Sequence, residues 1–399
     1  YLSKIWQQYP AMPTEAIAAG RIYDLRREED GSLKLTLHRD QKIHKIQFAK
    51  ASVEAEFLDY GDLVAILPGE KILLLAPQLN PLPRRTYQKD LLEKWSLYLD
   101  EVRSFFRGQN FVELKTPSLV TCPGTEPSLD VFSTELKIGS RKEKLFLPTS
   151  PELHLKKVLA LGAEKIFEIA PCFRNGELTE RHQPEFMMLE WYRAYDNLAG
   201  IKKDVVDLVN ALASHFQVSA PRKIESYSVS ELFQIHCGFD LAPQTSIAEL
   251  QTLAKKLNVD VRSAESIDDF FFLIFTEKIE SQLPSENLTF VEKYPPYQAA
   301  LARLTEDGWG DRFEAYWKGF ELCNAFHELN DPSIQCLRAE EDLLKKKAMG
   351  KELIPLDEEF FQCLQAGLPP SGGIALGLER LFMCLFDLEK IAELKVFPL

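Results

Sequence analysis

Arginines, a histidine and carboxylates recur in three short stretches of this sequence, each with the make-up of a ligand-binding wall. The first runs from Phe173-Arg174 through a polar loop that includes Glu177, Arg181 and His182, and leaves it as Phe186-Met187-Met188-Leu189-Glu190-Trp191-Tyr192. Side chains alternate along a strand, so Phe186, Met188, Glu190 and Tyr192 share one face and Met187, Leu189 and Trp191 the other. The second face is purely apolar and belongs against a core. The first offers an aromatic ring, a carboxylate and a phenol, which suits a pocket for an amphipathic cation. A buried Glu190 needs a cationic partner, from a ligand or from a nearby Lys or Arg. A lone Glu-x-Tyr says little; beside an Arg174–loop–His182 hairpin it gains weight.

The second stretch spans Arg312-Phe313-Glu314 to Asn324-Ala325-Phe326-His327-Glu328. Asn324 and Glu328 have the same strand parity, whereas Glu314 and Glu321 converge only if the chain bends between them, and Lys318-Gly319 is the place for that bend. Such oxygens suit a divalent ion or an ammonium. The interleaved Phe320, Leu322 and Phe326 imply burial rather than a solvated acidic loop. The third stretch, Ser371-Gly372-Gly373-Ile374-Ala375-Leu376-Gly377-Leu378-Glu379-Arg380, brings backbone close to a ligand and sets Arg380 near the start of a helix, where it could clamp a triphosphate. No Walker-type Gly-Lys-Ser/Thr run is present.

The elements that must position these residues follow from periodicity. Residues 16–27, 33–38, 42–48, 63–67 and 71–76 read as five short strands, which suggests a small OB-like β-barrel within residues 1–80. Asn80-Pro81-Leu82-Pro83-Arg84-Arg85 reads as a linker, so a second domain is expected over 81–399. It opens with an amphipathic helix over 88–107, carrying Leu92, Trp95, Leu99, Val102 and Phe106, and a strand over 111–117. Helices are expected over 152–161, 201–216, 247–257, 267–282 and 338–349, and strands over 166–173, 185–192, 312–320 and 373–376. That alternation predicts an α+β domain on a largely antiparallel sheet.

Composition is that of an ordinary globular protein, 45% hydrophobic and 27% charged. No apolar run approaches the ~20 residues of a membrane span. Residues 1–10 lack the features of a secretory signal, so a cytoplasmic location is the expectation. Seven scattered cysteines form no CxxC pair, which speaks against a zinc site or a disulfide framework. A net charge of −13 argues against non-specific nucleic-acid binding.

Together the three stretches resemble the motifs of class II aminoacyl-tRNA synthetases of the lysine branch. Residues 111–117 look like motif 1, the dimer-forming helix–strand that ends in proline; 173–192 look like motif 2 and 373–380 like motif 3. The resemblance implies ATP-dependent adenylation of an amino acid, with Mg²⁺ held by Glu314 and Glu321, and a homodimer. It implies that Arg174 contacts the α-phosphate and the substrate carboxylate, that Arg181 and His182 hold the β- and γ-phosphates, that Phe186 and Arg380 sandwich adenine, and that Arg380 reaches the γ-phosphate. Glu152, in Thr149-Ser150-Pro151-Glu152, and Asn324 would orient the substrate amine, while Glu190, Tyr192 and Glu328 would receive its ε-ammonium.

Two families of that branch fit: lysyl-tRNA synthetases, and the elongation factor P ligases that activate (R)-β-lysine and attach it to a lysine of elongation factor P. Gln298, His327 and the run 371–377 look like the second family. Ala375 stands where the synthetases have glycine, and its methyl would crowd an α-amine and suit one displaced to the β-carbon. The expected reaction is therefore adenylation of (R)-β-lysine and transfer to elongation factor P. The alternatives are α-lysine charging of tRNA, or a non-catalytic lysine- or ATP-binding paralogue. Three departures stand out: an N-terminal barrel that the ligases usually lack; Gly176, which moves the carboxylate expected to accept from the adenine amino group to Glu177; and Ala325 in place of a glycine.

Overall fold

The computed structural model describes residues 11–39, 42–49, 58–69, 71–78, 89–299 and 301–395. The chain forms two compact units, residues 1–90 and 91–399. The linker expected at 80–85 lies outside the described residues.

The first unit holds strands β1 (Ala18–Arg27), β2 (Leu33–Arg39), β3 (Lys42–Phe48), β4 (Leu63–Leu67) and β5 (Lys71–Ala76), within a residue or two of expectation. Leu33, Leu35 and Leu37 alternate inward from β2 and meet Ile22, Val64 and Ile66 in a small core. The sheet is antiparallel in the order β3-β2-β1-β4-β5 and open, because β3 and β5 are not paired among the described residues. The expected closed barrel is corrected to this open sheet. β3 explains why: Lys42, Ile43, Lys45 and Gln47 are exposed and only Phe48 is fully buried, so it offers little apolar face around which a sheet could close.

The second unit is built from α1 (Lys89–Gly108), β6 (Val112–Glu113), the hairpin β7 (Ser133–Ile138) and β8 (Arg141–Phe146), α2 (Glu152–Ala160), β9 (Lys165–Phe173), β10 (Glu185–Ala194), α3 (Leu198–Phe216), β11 (Ile224–Ser228), α4 (Val229–Cys237), α5 (Ile247–Lys256), α6 (Ile267–Ile274), β12 (Leu288–Tyr294), β13 (Gly310–Trp317), β14 (Phe320–His327), α7 (Pro332–Ala348), α8 (Glu358–Gly367), β15 (Ser371–Gly377) and α9 (Leu378–Phe386). Eight strands form one sheet in the order β11-β12-β13-β14-β15-β10-β9-β6. It is antiparallel except for the two outer pairs, β11 with β12 and β6 with β9, which run parallel.

One face of that sheet is closed by α1, α3 and α9. Tyr98, Val102 and Phe106 are fully buried there with Leu189, Trp191 and Phe382, while Trp95 and Leu99 lie half-buried at the margin. The buried stripe of α1 is thus rotated slightly from the one that spacing predicts. Leu189 and Trp191 face this core as alternation requires, which turns Phe186, Met188, Glu190 and Tyr192 to the other side. A separate core forms where α4, α5 and α6 pack on the β12–β13 end.

Several expected elements change. The strand expected over 312–320 crosses a hairpin: Lys318 (φ 51°) and Gly319 (φ 74°) both take left-handed conformations, the signature of a two-residue type I′ turn. The strand expected over 111–117 shortens to β6. The helix expected over 267–282 is α only to Ile274, then continues as a π turn and a 3₁₀ turn. α7 begins well before residue 338, because Asp331 caps it through the Ser333 and Ile334 N–H groups and Pro332 opens it. Among the described residues no helix is long and apolar enough to cross a membrane.

Candidate active site

Strand register builds the site one rung at a time. Glu314 of β13 pairs with Asn324 of β14, Asn324 with Ala375 of β15, Ala375 with Glu190 of β10, and Glu190 with Glu168 of β9. Directly paired residues project to the same face. Ala375 is therefore the one small side chain in a row of carboxylates and an amide, and it sits between Glu190 and Asn324. The neighbouring rung sets Gly373 between Tyr192 and Phe326. A methyl on Gly373 would lie 2.0 Å from Glu328 Oε1 and 2.3 Å from the Tyr192 ring, so glycine is required for both to lie over it.

Above this face lies a cavity of about 470 Å³. Arg174, Glu177, Arg181, His182, Phe186 and Arg380 line its motif 2 and motif 3 side; Glu314, Glu321 and Asn324 line the hairpin side, with Glu152 and Ala375 at the floor. Glu190, Tyr192 and Glu328 are buried beneath it rather than in its wall. The loop after Arg174 absorbs its extra residue at Gly176, where φ is 81°, and thereby brings Glu177 to the cavity.

The cations are held to different degrees. Arg380 donates to the Glu321 carbonyl at 2.8 Å and to His182 Nε2 at 2.7 Å, and His182 Nδ1 faces the Thr179 hydroxyl at 2.9 Å. Burial and the Arg380 charge hold the His182 imidazole below its ordinary pKa, so it is neutral and accepts from Arg380. Arg181 donates to the Gly319 carbonyl and lies 4.7 Å over the Phe320 ring. Arg174 lies 5.2 Å over the Phe186 ring, and its Nε is buried with no hydrogen-bond partner. A buried donor left in that state suits an incoming anion.

The carboxylates are also unequal. Glu314 accepts from the hydroxyls of Tyr294 and Tyr316, at 2.5 and 2.6 Å, and pairs with Arg312. Arg312 in turn donates to Asn324 Oδ1 at 2.9 Å and so fixes that amide. Glu321, half-buried, is raised above its ordinary value by desolvation in the cavity wall and by the Glu314 charge, and lies 3.5 Å from Arg380. No group of three or more His, Cys, Asp or Glu side chains forms a metal cage among the described residues.

Lys156 is the residue that sequence reasoning missed with the largest consequence. It is 1% exposed, and its Nζ lies 2.5 Å from both Glu152 Oε1 and Glu328 Oε2. Burial alone would lower its pKa, but the two carboxylates outweigh burial and hold the ammonium charged. Glu328 is pushed up to about 8, by burial first, with Glu152 adding to the rise and Lys156 opposing it. The position of Lys156 four residues after Glu152 puts both on one helix face, a signal available in the sequence. Glu190 has no such cation. It accepts from the Ser150 hydroxyl at 2.6 Å and the Tyr192 hydroxyl at 3.2 Å, and burial together with the Glu152 charge raises it well above the usual carboxylate range. Of the carboxylates expected around the substrate's amines, Glu152 and Glu328 lie against Lys156, while Glu190 has no ion pair among the described residues.

The family profile described as tRNA synthetases class II (D, K and N) matches residues 75–399. A protein of Haemophilus ducreyi named elongation factor P–(R)-β-lysine ligase is 37% identical over 310 residues, which is 77% of this chain and 93% of that one. A Haemophilus influenzae protein of the same name is 37% identical over 314 residues, 77% and 94% of the two chains, and one from Salmonella arizonae is 36% identical over 313 residues with the same coverage. The ladder of Glu314, Asn324, Ala375 and Glu190, set under an arginine-lined cavity on a mainly antiparallel sheet, thus lies within the stretch that the family profile matches, and the chain belongs to the class II tRNA synthetase family and, within it, to the family of the elongation factor P–(R)-β-lysine ligases.

Proposed function

We propose that this protein adenylates (R)-β-lysine with ATP and transfers the β-lysyl group to a lysine of elongation factor P. The observation that carries the reading is the rung in which the Ala375 methyl separates the cation-free carboxylate Glu190 from Asn324. Glu190 receives the substrate's ε-ammonium at the closed end of the pocket. Asn324, fixed by Arg312, and Glu152, fixed by Lys156, orient its other amine, and the methyl favours an amine displaced to the β-carbon. Arg174 then holds the substrate carboxylate against the α-phosphate, Arg181, His182 and Arg380 hold the outer phosphates, and adenine lies against Phe186 with Glu177 at its edge. Adenylation of this kind needs positioning and charge stabilisation rather than an enzyme nucleophile.

Mg²⁺ fits the donor set in a limited way: Glu314 and Glu321 are hard oxygen donors whose mutual repulsion a divalent cation would relieve, and phosphates would complete the coordination. Glu321 is the freer donor, since both Glu314 oxygens already accept. Bound there, the ion would neutralise phosphate charge. A homodimer belongs to the same reading and is supported by β6, a sheet-edge strand whose Val112 is 58% exposed. The first unit is read as a docking module built on its open five-stranded sheet.

ATP–pyrophosphate exchange with (R)-β-lysine and α-lysine side by side tests the reading. A strong preference for (R)-β-lysine, followed by transfer to elongation factor P, is the expected result; a preference for α-lysine would point to tRNA charging instead. Ala375→Gly should shift the exchange ratio toward α-lysine by about tenfold, the scale of one methyl in a close-fitting pocket. An unchanged ratio would remove the steric account.

Glu190 also predicts a pH dependence. Burial raises its pKa in the empty site, and an ammonium ligand favours the ionised form, so binding shifts the carboxyl toward ionisation and releases protons. Affinity for the substrate should rise as pH increases toward the Glu190 pKa, and Glu190→Gln should abolish the slope. Calorimetry in buffers of different ionisation enthalpy reads the proton directly; no proton release in the unmodified protein would contradict the assignment.

A further inference from the structure

The cavity has a second half that the adenylation chemistry does not use. Its wall there comes from residues 122–129, from α7 and from 356–361, and includes Glu126, Gln335, Asp342 and Asp357 but no Lys or Arg. All the arginines that line the cavity lie on the nucleotide and hairpin side, so the cavity is polarised. Gln335, Ala339 and Asp342 are spaced four and three apart, which sets them on one face of α7 toward the opening. Gln335 is only 3% exposed, yet its Oε1 has no hydrogen-bond partner. Leaving that acceptor bare costs free energy unless a donor arrives from outside.

Glu126 stands across from it with no ion pair among the described residues. The Gly124 conformation (φ 133°) lets it fold inward: a methyl on Gly124 would meet Glu126 Oε2 at 2.4 Å and Thr149 Oγ1 at 3.0 Å. The carboxylate therefore lies beside the segment that carries Ser150 and Glu152. We infer that this half of the cavity is the subsite for the acceptor amine, in which Gln335 Oε1, Asp342 and Glu126 receive a lysine ammonium of the protein substrate and Glu126 takes its proton. This rests on the function proposed above.

A lysine ammonium is not a nucleophile and must lose a proton before it can attack. Burial raises the Glu126 carboxyl, with the Glu152 charge adding to the rise while Arg174 and Lys346 oppose it, and burial raises Asp342 to about 6 against the pull of Lys345. Both groups thus hold a proton more readily than a surface carboxylate. In the step, one N–H proton passes to Glu126 and the freed nitrogen lone pair attacks the acyl carbon of the adenylate. The C–N bond forms, the acyl C–O bond breaks, and AMP leaves with the electron pair on its phosphate oxygen. The second proton on nitrogen is released to water as the amide forms.

The discriminating experiment compares Glu126→Gln with the unmodified full chain in three assays: pyrophosphate exchange with (R)-β-lysine, discharge of the adenylate by hydroxylamine, and transfer to elongation factor P. Hydroxylamine is neutral near pH 7 and needs neither recognition nor deprotonation. Transfer should fall about a hundredfold while exchange and hydroxylamine discharge change by no more than about threefold. The double variant Gln335→Leu, Asp342→Asn should raise the KM for elongation factor P with a smaller effect on kcat. Equal losses in all three assays would assign Glu126 to the substrate amine and overturn the inference, as would undiminished transfer in both variants. Failure of the unmodified chain to exchange with any lysine isomer would remove the underlying function instead.

Discussion

Arg174→Ala is expected to lower the rate of pyrophosphate exchange by about a thousandfold, the upper range for losing one donor aimed at developing charge. The size follows from how the cavity's arginines are held. Arg380 is engaged by Glu321 and His182, and Arg181 by the Gly319 carbonyl and the Phe320 ring. Arg174 Nε alone among their side-chain nitrogens is buried without a partner, so its full hydrogen-bonding capacity is reserved for the ligand. The loss should appear in kcat, with ATP affinity weakened far less, because charge on the α-phosphate region grows as the substrate carboxylate attacks. Arg174→Lys should recover only part of the rate, since a point-charge ammonium cannot give the paired bonds of a guanidinium. If ATP affinity fell by the same factor as the rate, Arg174 would be a ground-state binding residue.

Lys156→Met is expected to cost about 3–5 kcal/mol of stability above about pH 9, where Glu328 is ionised, the range for breaking a buried ion pair from one side. Among the described residues the ammonium is the one cation in direct contact with Glu152 and Glu328, and Glu190 lies close enough to feel both it and Glu152. Without it, three carboxylates share a buried site. The sign with pH follows. Loss of the ammonium raises the folded-state Glu328 carboxyl further still, while the unfolded values are common to both proteins and cancel, so the penalty is largest at alkaline pH and fades as pH falls toward about 8, where Glu328 of the unmodified protein takes up its proton. Denaturant unfolding from about pH 10 down to about pH 7 should therefore show the deficit shrinking. A deficit constant across that window would mean that Lys156 acts through packing of its stem rather than through its charge.

Local patterns in the chain were sufficient for the strands of the first unit and for the two faces of β10, because a period of two with a purely apolar Met187, Leu189 and Trp191 face leaves a single way to bury the strand. The chemical types at Arg174, His182, Glu321, Asn324 and Arg380 were legible for a similar reason: functional groups of that kind, spaced along predicted strands and loops, have few other uses. Resemblance added the family and the reaction. The hairpin at Lys318-Gly319 was half legible, since the bend was visible but the apolar run over 312–320 suggested that the strand continued through it. Closure of the small β-unit was misjudged because strand count does not report whether the edge strands have apolar faces to share.

Sequence by itself thus determined which side chains are available and which face each strand turns inward, since both depend on neighbours two to four residues away. Only the tertiary structure decided how those groups are paired. Glu152, Glu190 and Glu328 look equivalent as carboxylates in a sequence, yet the fold delivers one lysine to two of them and only the hydroxyls of Ser150 and Tyr192 to the third. The same holds for Ala375, whose methyl acquires meaning only because strands more than fifty residues apart set it between Glu190 and Asn324. Charge pairing and close contact depend on distances of a few ångströms between distant segments, and those distances exist only once the sheet has formed.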